Sequence, residues 1–374
     1  MRIFHILKYL VIIGIIIFIV SKLGHRSTSD TPSIQTTKSP SSSVSTSTIP
    51  TGVFANDIKK ATNLCTQTKG IIARDAVGLS IVGVDDPDLL VAIADLEVPW
   101  VRVEFPWSVI ARDSKLYRFD AYDRFASGLA KNNTQALAVL HYFPERIGTT
   151  NVNWNVAADD YAQFVKSIVR RYKAGGDVAK QFSWKQGYGI RYWEIFNEPN
   201  LPGYGWLTNK ADPGKNIENY ALMLARANTA IHAEDPNAVI VLGGLSPDGY
   251  PYRDFLDRLY ALGAGKCFDV VAFHPYGRIG KFKEVAQDLR KHMAPYGDSD
   301  KPIWFNEFGT DNQKNVTNIL TTSFNERSDV DGIFWFTLKN FKRIGYNFGL
   351  ITYKGERRDI YQTFKSLIAT LHQN

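Results

Sequence analysis

From about residue 75 onward the chain repeats one pattern: a short, nearly unbroken apolar run, then a longer amphipathic stretch. The runs fall at 77–83, 100–107, 136–144, 191–199, 238–247, 268–277, 301–309 and 332–340. Continuous apolar runs of this length suit strands covered on both faces, as in a parallel sheet. The amphipathic stretches fall at 87–97, 157–172, 218–234, 253–262, 282–293, 316–324 and 358–371. In one of them Tyr161, Phe164, Val165, Ile168 and Val169 recur at helical spacing, and in the last Ile360, Tyr361, Phe364, Leu367 and Ile368 do the same. Strand alternating with helix implies a parallel sheet with right-handed crossovers. Eight runs over ~300 residues, seven of them followed by such a stretch, point to a closed (β/α)8 TIM barrel. An open doubly wound sheet is the rival, but no G-x-G-x-x-G turn follows the first run.

The first 51 residues do not share this pattern. Residues 9–20 are unbroken and apolar, with Arg2 and Lys8 before them and Lys22 after. The length suits a signal-peptide core, yet no A-x-A cleavage pattern is nearby, which favours an uncleaved anchor. Residues 27–51 are Ser/Thr-rich with Pro32, Pro40 and Pro50, too polar to order themselves, and read as a disordered tether. The expected organisation is a signal peptide or membrane anchor at 1–26, a linker at 27–51 and one catalytic barrel at 52–374. Anchor plus tether plus barrel implies display outside the cytoplasm, at the cell surface or secreted; an enzyme held to the inner face is the alternative.

The net charge of +7 carries +4 in the first 50 residues, so the body is nearly balanced and makes no case for nucleic-acid binding. Cys65 and Cys267 are the only cysteines, too few and too distant for a metal set. Either they form one disulfide in an exported domain, or they are two separate buried thiols. If Cys267 precedes the sixth strand, it lies on the amino face of the barrel, where the lead-in carrying Cys65 can meet it.

In a barrel of this kind active sites lie at the carboxyl ends of the strands. Read in order, those ends carry Arg102 and Glu104, then His141 and Tyr142, Asn197 and Glu198, His274 and Tyr276, Asn306 and Glu307, and Trp335 followed by Lys339 and Asn340. Glu198 ends the fourth run and Glu307 the seventh, three units apart, so they face each other across the mouth. Two opposed carboxyl groups are the minimum apparatus for breaking a glycosidic bond. One must hold a proton for the leaving oxygen, and the other must be ionised. The bland reading of each is a structural ion pair, and for Arg102 a buried charge paired with Glu104.

At these residues the sequence resembles the clan A glycoside hydrolases, the (β/α)8 retaining enzymes that include families 5 and 39, over about residues 75–374. "WEIFNEPN" resembles their strand-four motif, which implies Glu198 as acid/base. "PIWFNEFG" resembles the strand-seven motif, which implies Glu307 as nucleophile, with Asn306 in place of the Thr or Ser that many members carry. "VRVEFPW" implies that Arg102 supports the nucleophile. "FHPYG" implies His274 and Tyr276 flanking the site, and Trp335 falls where many members carry a sugar-stacking tryptophan.

The expected activity is that of a retaining β-glycoside hydrolase acting on an oligo- or polysaccharide, with no metal or organic cofactor, and monomeric. Arg102 and Tyr276 would hold Glu307, Asn197 would bond the sugar 2-OH, and His141 and His274 would bind substrate or support those that do. Trp107, Trp154, Tyr204 and Trp206 are candidates for outer subsites, in loops that include 145–156 and 201–217. Asn132 and Asn315 sit in glycosylation sequons. A transglycosylase on the same barrel and a non-catalytic carbohydrate-binding barrel are the rivals.

Overall fold

A computed structural model describes residues 51–112, 116–148, 152–201, 213–342 and 347–371. The expected anchor at 1–26 and the linker up to residue 50 lie outside them, as do Tyr204 and Trp206. Among the described residues no helix is long and apolar enough to cross a membrane. Residues 57–374 form the barrel unit.

Eight strands run parallel: β1 (Ala76–Ile81), β2 (Trp100–Pro106), β3 (Gln135–His141), β4 (Tyr192–Ile195), β5 (Val239–Leu242), β6 (Val271–Ala272), β7 (Ile303–Phe308) and β8 (Gly332–Phe336). Their order is β5-β4-β3-β2-β1-β8-β7-β6. Parallel bridges from Val241 to Val270 and from Leu245 to Phe273 link the remaining two edges and complete the barrel. Helices cover the outside: α1 (Thr51–Asn63) in the lead-in, then α2 (Asp88–Leu96), α3 (Asp120–Asn132), α4 (Trp154–Tyr172), α5 (Pro213–Glu234), α6 (Tyr252–Ala261), α7 (Phe282–Met293), α8 (Val316–Asn325) and α9 (Asp359–Leu371). Two of these carry no clear signal in the sequence. α1 falls in the segment read only as a lead-in. α3 buries Tyr122, Phe125 and Leu129 but places Ala126, Ser127 and Gly128 at its centre, so its apolar stripe is thin.

Alternation along each strand decides what fills the interior. Trp100, Tyr192, Trp304 and Phe334 point inward and pack ring against ring, with Tyr192 stacked on Trp304 at 5.2 Å and edge-on to Trp100 at 4.8 Å. Gly78 on β1 makes room, since a Cβ there would lie 2.7 Å from the ring of Phe334. The aromatic layer is a solid floor, so polar groups farther along the same inward rows have only the mouth to face.

The lead-in is strapped beneath this floor. Cys65 and Cys267 form a disulfide 202 residues apart in sequence. Beside it Asp269 accepts from the backbone N–H groups of Thr68 (2.9 Å) and Ile240 (2.8 Å), and the Asn228 side chain bridges Thr66 and Cys267. Of the two arrangements open to the cysteines, the structure has the bonded one.

Candidate active site

The inward row of β2 carries Arg102 two residues beyond Trp100, and the inward row of β4 carries Glu194 two residues beyond Tyr192. A charge cannot stay inside a barrel without a partner. Arg102 Nε and Nη2 donate to Glu194 Oε2 and Oε1 at 2.7 and 2.9 Å. Glu194 is fully buried and also accepts from the Gly244 backbone N–H at 3.0 Å. The remaining arm of the guanidinium, Nη1, donates to Glu307 Oε2 at 2.8 Å, and Nη2 also reaches the Asn197 side-chain oxygen. Burial opposes the charge of Arg102, but Glu194, then Glu307 and Glu104, outweigh it and its pKa is raised. Arg102 makes no hydrogen bond to Glu104, and the sequence reading missed Glu194 as its principal partner.

Two local breaks in strand geometry aim the two candidate carboxyl groups. β4 ends at Ile195, and Phe196 and Glu198 then adopt φ of 61° and 44°. Non-glycine residues rarely occupy this region, and each such residue costs of order 1–3 kcal/mol. The twist turns both Asn197 and Glu198 toward the mouth. In β7, Trp304 faces inward, so strict alternation would send Glu307 outward. A register shift between Phe305 and Phe308 against β8 breaks the alternation and brings Glu307 inside.

The two carboxyl groups meet at His274. Its Nδ1 lies 2.9 Å from Glu198 Oε1 and its Nε2 4.0 Å from Glu307 Oε2. Burial pushes the imidazole pKa down to about 4, so the ring is neutral through the working range. Burial likewise pushes Glu198 up to about 8. It raises Glu307 as well, against the opposing charge of Arg102. The two glutamates differ in their donors. Glu307 accepts from Arg102 and, at 2.9 Å, from the Tyr276 hydroxyl, whereas Glu198 has a neutral imidazole and the Ser246 hydroxyl. Hydrogen bonds from a cation favour the ionised form. Glu307 therefore gives up its proton first and Glu198 keeps its own to higher pH.

Gly244 makes this arrangement possible. A Cβ there would stand 2.2 Å from His274 Nε2 and 2.7 Å from Asn306 Oδ1. Gly244→Ala should therefore push the imidazole off its place between the carboxyl groups. A misplacement of ~1 Å at such a site costs ~100-fold in rate. Steady-state kinetics on an aryl glycoside would read the loss, and kcat/KM equal to that of the parent would count against His274 as the link.

Other sequence expectations fare differently. His141 is buried beside β2, with Nε2 3.7 Å from Glu104 Oε1. Trp335 is corrected: it is 1% exposed and offers no face to a sugar. Because Phe334 faces inward, Trp335 faces outward, edge-on to Phe308, and donates its indole N–H to Phe348 O at 3.2 Å. Phe336, the next inward position, is a partly exposed ring at the mouth, packed against Phe348, which is edge-on to Tyr276. Trp107 is corrected too, being fully buried against Tyr161 and Phe164. Trp154 begins α4 and meets Phe143 edge-on. Asn132 and Asn315 are both exposed. A groove of about 1080 Å³ between α2 and α3, lined by Leu90, Arg124 and Trp184, lies on the helical outside of the barrel and includes none of the mouth residues.

Residues 133–364 match the family described as glycosyl hydrolase catalytic core. No curated protein matches the chain at the level of sequence. Among solved structures it is similar to a glucosidase from Croceicoccus marinus, with a TM-score of 0.61 and 18% identity over 82% of this chain and 68% of that one. A family 39 glycoside hydrolase from Bacteroides cellulosilyticus aligns with a TM-score of 0.60 and 15% identity over 81% and 66%. A family 1 β-glucosidase from Thermotoga maritima aligns with a TM-score of 0.57 and 12% identity over 82% and 99%. The chain thus spans about two thirds of the first two. At these identities the likeness is one of fold.

Proposed function

Since the chain belongs to the glycosyl hydrolase catalytic core family, we propose that it is a retaining β-glycosidase, with Glu307 as nucleophile and Glu198 as acid/base. The observation that carries this reading is the unequal pair: two carboxyl groups on either side of one neutral imidazole, one fed by a cation and a phenol, the other not.

In the first step a Glu307 oxygen attacks the anomeric carbon. The bond to the leaving oxygen breaks, its electron pair goes to that oxygen, and the Glu198 proton follows. Arg102 and Tyr276 hold the attacking carboxylate in line. The resulting glycosyl ester carries no charge, so Glu198 is no longer opposed by a neighbouring anion and stays ionised. In the second step Glu198 takes a proton from water, the water oxygen bonds to the anomeric carbon, and the ester bond returns its electron pair to Glu307. Two inversions give net retention.

The direct test is to follow the product anomer by NMR during cleavage of an aryl β-glycoside. The β anomer should appear first, and early α anomer would rule out the covalent intermediate. Glu198→Ala should spare the first step for leaving groups that need no proton and slow the second by ~10²–10⁴-fold, with azide restoring turnover as a β-glycosyl azide. In the parent enzyme kcat/KM should fall as pH rises through about 8, where Glu198 loses the proton it must donate. Glu198→Ala should lack that limb.

We also infer that the enzyme acts at the cell surface or beyond it, on an oligo- or polysaccharide, reaching it through the tether at 27–51 from a signal peptide or anchor at 1–26. The Cys65–Cys267 disulfide supports this, because such bonds persist in oxidising compartments.

A further inference from the structure

Glu104 takes no part in the steps just described. It follows Arg102 by two residues on β2, so both side chains lie on the inward row. The rise of a strand sets it ~6–7 Å nearer the solvent. Arg102 donates to Glu194, Glu307 and Asn197 and makes no hydrogen bond to Glu104. Its neighbour is His141, whose Nε2 stands 3.7 Å from Glu104 Oε1, too far for a hydrogen bond. That nitrogen has no hydrogen-bond partner, on a ring that is 2% exposed. An unsatisfied buried nitrogen is rare in a native protein and calls for a partner from outside. A hydroxyl group is the matching partner, since it can donate to a carboxylate and still bond to an imidazole nitrogen.

Negative charge prevails around this spot, with the Arg102 guanidinium opposing it. The Tyr142 hydroxyl, next along from His141, is pushed well up by burial and then by the negative charge of Glu104, Glu307 and Glu198. Two cations at the strand ends are already engaged, Arg102 as above and Lys339 with Asp86.

We propose that Glu104 is the specificity-determining residue of the sugar pocket: with His141 it holds a ring hydroxyl, and its charge turns away sugars that carry a carboxylate. The substrate class is then a neutral β-glycoside. The inference rests on the glycosidase reading above and deepens it.

The test compares the parent enzyme, Glu104→Gln and Glu104→Ala on 4-nitrophenyl β-glucoside, β-xyloside, β-mannoside, β-galactoside and β-glucuronide. Monodeoxy analogues of the best substrate are then assayed with each enzyme. The parent should cleave a neutral sugar and reject the glucuronide. One deoxy analogue should lose about 10- to 100-fold in kcat/KM, the scale of a hydrogen bond to a charged group. In Glu104→Ala that penalty should shrink toward unity, and Glu104→Gln should narrow the gap to the glucuronide. A merely structural Glu104 would lower activity without changing the deoxy penalty. Equal penalties in parent and variant, or a parent that prefers the glucuronide, overturn the proposal while leaving the glycosidase reading intact. A parent inert on the whole panel sinks that reading first, and this inference with it.

Discussion

Glu307→Ala is expected to abolish turnover of aryl β-glycosides, with a loss on the order of 10⁵–10⁶-fold, the scale seen when a covalent nucleophile is removed. As the proposed nucleophile, this side chain supplies the bond that replaces the leaving group, and among the described residues the other carboxyl groups are otherwise engaged, Glu104 standing nearer the solvent beside His141. Glu194 lies deeper and is locked to Arg102, and Glu198 holds a proton. The alanine leaves a small space beneath the anomeric carbon, with Arg102 Nη1 and the Tyr276 hydroxyl still directed into it. Azide should enter that space, held by the same two donors, and attack once. The product would be the α-glycosyl azide, the opposite configuration from that formed by Glu198→Ala. Mass spectrometry and NMR of the azide adducts would separate the two roles. An identical anomer from both variants would mean that they had been assigned to the wrong residues.

Arg102→Met should cost both activity and stability. Glu194 would be left fully buried with no countercharge, and breaking such a pair from one side costs ~3–5 kcal/mol. Glu307 would lose its charge-assisted donor, so its pKa should climb further. A group that must be ionised then loses activity from the acid side, and the acid limb of kcat/KM should move to higher pH. Adding Glu194→Leu to Arg102→Met removes the stranded charge. The double variant should recover most of the unfolding free energy in denaturant titration while staying poorly active. Recovery of activity along with stability would show that Arg102 only holds the barrel together.

Much of this was legible in the residues. Parallel strands under helices followed from unbroken apolar runs, and the end positions named Arg102, His274, Tyr276 and the two glutamates. The gaps have physical causes. Glu194 sits in the middle of Tyr192–Ile195, where the eye reads an apolar strand; counting by twos from Tyr192 would have placed its carboxyl inside, opposite Arg102. Counting from Phe334 would likewise have turned Trp335 out of the mouth and put Phe336 there. Glu307 shows the limit of such counting, since a shift of pairing in β7 reverses its side, and a single sequence carries no mark of it. The positive φ at Phe196 and Glu198 is equally silent, because neither is a residue that favours that region. α3 was missed because its centre is small and polar.

The bond between Cys65 and Cys267 has one more effect. Glu198 belongs to the stretch of chain it encloses and Glu307 to the stretch beyond. Should a protease nick any exposed turn from the first strand to the fifth, the two pieces would remain a single molecule. Glu198 and Glu307 could not drift apart until a reductant released them.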